Sequence, residues 1–167
     1  MNVSKNRPIR YFKNALIASV TLTLSYPIVA QDTPPAEGKA LYLWLKAGNY
    51  KNWVHESEPH KSAGPHPSAV IAYLNAPLNE SLNSGAAAHP AGSASVKELF
   101  DTSGELSGWA VSIKTQEDSA AGKGWYWYEI LGTEEDSRVV ADGNGVPLCF
   151  GCHTPGNDFV LIPHPLK

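Results

Sequence analysis

The two cysteines of this 167-residue chain stand three positions apart and are followed at once by a histidine, in Cys149-Phe150-Gly151-Cys152-His153. C-x-x-C-H is the attachment spacing of c-type haem. Two intervening residues let one helical turn offer both sulfurs to one porphyrin edge, where each adds across a vinyl group to form a thioether. The histidine that follows is then placed to ligate the iron. Other readings of the same residues compete. A thioredoxin-like pair needs a βαβ context, whereas residues 141–147, Ala-Asp-Gly-Asn-Gly-Val-Pro, read as a turn-rich loop. A structural zinc site needs four ligands. Cys149, Cys152, His153 and His164 could supply them, without a second pair at the usual spacing. A disulfide across two residues is a strained alternative.

The N-terminus bears on the compartment. Lys5, Arg7, Arg10 and Lys13 precede ten apolar-rich residues, 15–24, and Ala30 offers a small residue at a cleavage point before Gln31. Residues 1–30 are therefore expected to be a secretory signal peptide. Ten apolar residues are too few to span a bilayer. An exported chain with C-x-x-C-H points to the periplasm. Removing the leader takes four of the 13 Lys and Arg, leaving 9 cations against 16 Asp and Glu and a net charge of −7. Nucleic acid and anionic lipid are poor partners for such a surface, which allows a basic soluble redox partner but is also what solubility alone asks for.

Residues 31–52 read as a linker and an N-terminal helix, with Ala40, Leu41, Trp44 and Leu45 recurring near helical spacing in 36–45. Residues 53–167 read as the haem domain. Its polar segment 52–64 is expected to be loop. Short β-branched or aromatic runs predict strands over 69–74, 93–100, 109–114 and 125–131, with a helical turn over 77–83. Residues 116–124 and 132–136 read as loop and turn, and 148–153 as the helical turn carrying the haem link. Strands separated by turns rather than helices predict an antiparallel sheet. The expected class is mainly β (α+β), with a few short helices and a C-terminal c-type haem-binding segment.

The single methionine is Met1, which leaves with the signal, so a His–Met iron site is ruled out in the mature chain. The sixth iron position falls to His, Lys, a weaker ligand, water or nothing. His55 and His60 lie in a polar loop and read as surface. His66 and His89 precede strands and could support them or face the pocket. His164, between two prolines, reads as a packing residue.

Several runs together resemble the cytochrome P-460 family: Ser62-Ala63-Gly64-Pro65-His66, Val70-Ile71-Ala72-Tyr73-Leu74-Asn75, Gly92-Ser93-Ala94-Ser95-Val96-Lys97-Glu98-Leu99, Gly124-Trp125-Tyr126-Trp127-Tyr128-Glu129 and the C-x-x-C-H run. The resemblance spans about residues 53–166. It implies a homodimer of antiparallel β subunits, each with one periplasmic high-spin haem c held by Cys149, Cys152 and axial His153, and an open distal side. It implies an oxidoreductase acting on hydroxylamine, with a lysine bonded to the haem, matched here by Lys97. The distal carboxylate of active members falls at Ala110, and an expected arginine is replaced near Val70. The related cytochrome c′-beta branch has an apolar distal pocket and looks like a nitric oxide binder. The expected ligands are thus small nitrogen species, with oxidation, gas binding and bis-histidine electron transfer as competing activities.

Overall fold

The computed structural model describes Met1 and residues 33–66 and 69–167. The expected leader, Met1 apart, lies outside the described residues. Helix α1 (Gly38–Lys46) starts where Glu37, in extended conformation, accepts hydrogen bonds from the amides of Lys39 and Ala40 at 3.2 and 2.9 Å. A carboxylate at this position satisfies amides that have no partner within the helix. Two short strands follow, β1 (Val54–His55) and β2 (His60–Lys61). Next come β3 (Ala69–Leu74), helix α2 (Ala76–Asn83), β4 (Ala94–Phe100), β5 (Leu106–Lys114), β6 (Trp125–Leu131), β7 (Arg138–Asn144) and helix α3 (Pro147–His153).

The seven strands form one antiparallel sheet in the order β1-β3-β4-β5-β6-β7, with β2 also pairing to β3. The expected antiparallel, mostly β architecture is present, with three short helices. Four strands fall on or within a few residues of their expected positions. The segment 52–64, expected to be loop, instead supplies two edge strands, and β7 takes in residues expected to be a turn-rich loop. Among the described residues no helix is long and apolar enough to cross a membrane.

Side chains on a strand alternate between faces, so the sheet has two different sides. On one, Leu41, Tyr42 and Leu45 of α1 pack with Tyr50 on Tyr73, Val96, Trp109, Val111, Ile113, Tyr126, Tyr128 and Ile130. On the other, Ala72, Leu74, Trp125 and Trp127 meet Leu78 of α2, Cys149 and Phe150 of α3, and Val160 and Ile162 of the C-terminal segment. Val70, Leu99 and Ala110 form a smaller apolar patch on that second side, with Leu131 against it. The 3-10 turn Ala120–Gly122 lets α3 sit close: a Cβ on Gly122 would stand 2.7 Å from Cβ of Phe150. Gly122 also has a φ of +93°, which suits glycine.

Candidate functional site: a lysine–glutamate row beneath the C-x-x-C-H helix

Pro147 opens α3, where its missing N–H costs nothing. Cys149 and Cys152 are three apart on this helix and so share a side. Both thiols are free, Cys149 half-buried and Cys152 exposed. The Cys149 thiol is pushed up to about 11 by burial, with Glu129 and then Cys152 adding to it.

His153 ends the helix. Its Nδ1 lies 2.8 Å from the carbonyl oxygen of Phe159. A carbonyl only accepts, so Nδ1 carries the proton and Nε2 keeps its lone pair. Burial, opposed by the Phe159 carbonyl and aided by Lys97 and His66, pushes the imidazole down to about 4, so the ring is neutral at ordinary pH. It stands edge-on to Trp127 at 4.7 Å and 6.5 Å from the His66 ring. A neutral imidazole with a fixed tautomer and a bare Nε2 is the state a metal requires.

The floor beneath α3 is set by strand register. Ala72 of β3 pairs with Lys97, Lys97 with Ala110, Ala110 with Glu129 and Glu129 with Ala141. Lys97 and Glu129 therefore point from the same face, two strands and roughly 10 Å apart, with Ala110 the residue between them in the register. Burial lowers the Lys97 amine from its usual range, against the opposing pull of Glu56 and Glu129. Among the described residues no carboxylate comes within ion-pair distance of its Nζ. Glu129 Oε1 is 3.3 Å from His66 Nδ1, with both side chains largely buried. Glu56, also buried, accepts from the Ala72 amide at 2.7 Å and pairs with His60 Nε2 at 3.0 Å.

Of the residues singled out in the sequence, Lys97, Ala110, His66, Cys149 and His153 are brought to this one face. His89 is placed elsewhere. Its Nδ1 lies 2.9 Å from Ser81 Oγ and its Nε2 3.2 Å from the Asn157 carbonyl, so both ring nitrogens are engaged. It borders a hollow of about 550 Å³ beside α2 that none of the row residues lines. His55 and His60 are exposed on the edge strands, and His164 Nε2 reaches Asn79 Oδ1 at 3.4 Å. Glu129 was not singled out as a site residue. The resemblance puts the distal carboxylate of active members at Ala110, where this chain has none on that strand, and register places Glu129 of the next strand beside it. Its sequence signal was an acid inside an otherwise apolar strand, Trp-Tyr-Trp-Tyr-Glu-Ile-Leu.

Among the described residues no group of three or more His, Cys, Asp or Glu converges in a metal-binding arrangement, so Cys149, Cys152, His153 and His164 do not form a zinc cage. The donor set suits a covalently attached porphyrin better: two thiols on one helical side, one imidazole nitrogen and small residues at 72 and 110. The buried indole N–H groups of Trp125 and Trp127 lack a partner among the described residues. Native folds rarely leave such donors unpaired without a reason. No protein-family model and no curated protein matches this chain.

Proposed function

We propose that this chain is a periplasmic mono-haem c-type cytochrome of the P-460 kind that binds or oxidises a small nitrogen species such as hydroxylamine or nitric oxide. One observation carries the reading: His153, at the end of the C-x-x-C-H helix, stands edge-on to Trp127 at 4.7 Å on the same face of the sheet as the strand lysine of the Val-Lys-Glu-Leu run. Cys149 and Cys152 would hold the porphyrin as thioethers, and His153 would ligate iron through Nε2. Bound haem supplies an iron centre that can take up a small nitrogen ligand and accept its electrons.

The side chains have separate tasks. Burial favours the neutral Lys97 amine over its charged form, and the neutral amine is the nucleophile that a lysine–haem bond needs. Glu129 offers a proton acceptor on the same face, and His66, hydrogen-bonded to it, is a second group that can exchange that proton. Ala110, between lysine and carboxylate in the strand register, adds only a methyl group of its own to this face. A second reading has its own support. The His66 and His153 rings stand 6.5 Å apart, and His66 would be the second imidazole available to a bound iron. That pairing favours a bis-histidine electron carrier.

Expression of the exported chain in a host that matures c-type cytochromes tests both. A haem adduct in the intact mass, a green colour and a red-shifted Soret band lost in Lys97→Ala support the P-460 reading. An ordinary high-spin spectrum favours gas binding alone. Sharp low-spin α and β bands that His66→Ala converts to high spin favour the carrier. A porphyrin-free product sinks all three.

A further inference from the structure

We propose that the buried Lys114–Asp158 ion pair is the positioning device for the His153 imidazole, acting through the Phe159 carbonyl. The inference rests on the haem reading above and names residues that reading does not use.

Lys114 closes β5 and is 1 % exposed. Its Nζ donates to Asp158 Oδ2 at 2.5 Å and sits 5.8 Å from the Trp125 ring. The same Oδ2 accepts from the His89 amide at 2.8 Å, and Oδ1 accepts from the Ser119 hydroxyl. One carboxylate thus ties together the end of β5, the loop after it and the segment after α2. A cluster this enclosed holds its geometry firmly, because each member left alone would be an unpaired buried group.

The next residue turns that anchor into aim. Asp158 and Phe159 have φ of 46° and 68°. Aspartate tolerates the left-handed region, but a bulky phenylalanine enters it at a cost. The turn is held by the Val160 amide on the Asn157 carbonyl at 2.9 Å, with His89 Nε2 on the same oxygen at 3.2 Å. The outcome is a Phe159 carbonyl directed at His153 Nδ1 at 2.8 Å. Such a bond fixes the tautomer and strengthens Nε2 as a donor to metal. If the anchor is lost, Phe159 can relax out of its left-handed conformation and carry the carbonyl away from the ring.

The test uses the haem-loaded protein with Asp158→Asn and with the double variant Lys114→Met/Asp158→Asn, which removes both buried charges together. Intact mass checks that the thioethers survive. The readouts are the iron–histidine stretching band of the ferrous protein and its reduction potential. A weakened Nδ1–H bond makes the imidazole a poorer donor, so the band is expected to fall in frequency and the potential to rise. Ser119→Ala, which removes one tie to the same carboxylate, should shift both in the same directions by less, and it serves if the first two variants do not fold. Tyr50→Phe, on the opposite face, should lower stability while leaving both readouts at wild type. Haem-loaded Asp158 variants with reduced stability but an unmoved band and potential would overturn this inference alone. A wild-type protein without haem would overturn the proposed function as well.

Discussion

Lys97 and Glu98 are neighbours on β4 and point to opposite faces of the sheet, and their surroundings differ. Glu98 is 2 % exposed. It accepts from the Tyr50 hydroxyl at 2.6 Å and the Tyr73 hydroxyl at 3.0 Å, and it pairs with Lys51. Tyr50 in turn accepts from Trp109 Nε1 at 2.8 Å. Burial, followed by the Glu98 hydrogen bond, holds the Tyr50 phenol protonated far above its usual range. Every polar group in that cluster has a partner, and the α1 face reads as finished structure. On the α3 face Lys97 has no carboxylate at pairing distance among the described residues, and two indole N–H groups lack acceptors there. Among the described residues, then, the Glu98 cluster is completed by its hydrogen bonds, whereas Lys97, Trp125 and Trp127 on the other face are not.

The sharpest way to break this contrast is to remove the helix that roofs the incomplete face of its chemistry. On the proposed haem reading, Cys149→Ala/Cys152→Ala should abolish covalent attachment, read as loss of haem that survives denaturation, while the α1 face stays folded. Glu98→Ala should do the reverse. It strands two tyrosine hydroxyls and Lys51, and should cost about 3 kcal/mol in urea unfolding without altering haem attachment.

Lys97→Met tests the opposite sign on the other face. Burial lowers the folded-state amine below its unfolded value of 10.5. Between those two values the unfolded chain binds more protons, so stability rises with pH there and the cost of the charge is fully present below the folded value. In the haem-free protein Lys97→Met should therefore be more stable than wild type by about 1 kcal/mol at pH 7. The gap should narrow toward pH 10.5. The smallest expected effect compares the two faces by one substitution. Trp109→Phe breaks a buried hydrogen bond and Trp127→Phe breaks none, so in haem-free protein the first should cost about 1 kcal/mol more. Equal costs would mean that Trp127 has a partner after all.

How much of this was legible in the sequence depends on the interaction range each feature needs. The strand Trp125–Leu131 declares itself because aromatic and β-branched residues suit a pleated surface wherever it is packed. The α3 segment declares itself through the spacing of two cysteines. β7 did not, because Asp142, Gly143 and Asn144 are turn formers held in a strand only by pairing with Tyr128, Trp127 and Tyr126. β1 and β2 are two-residue edges whose pairing to β3 is a tertiary fact. Glu129 escaped for a related reason. Its relation to Lys97 passes through Ala110 and two registers, which no local pattern encodes. Lys114 and Asp158 are 44 residues apart, and nothing in either neighbourhood announces the other.

The alternation that gathers Lys97, Ala110 and Glu129 also sets which length changes the gene can accept. An extra codon in the loop between Lys114 and Trp125 can bulge outward and leave both strands in place. The same codon inside β6, ahead of Glu129, would swing the carboxylate to the α1 side and seat Tyr128 opposite Ala110. Insertions and deletions among descendants of this chain should accordingly collect in the connections and spare the interior of β6.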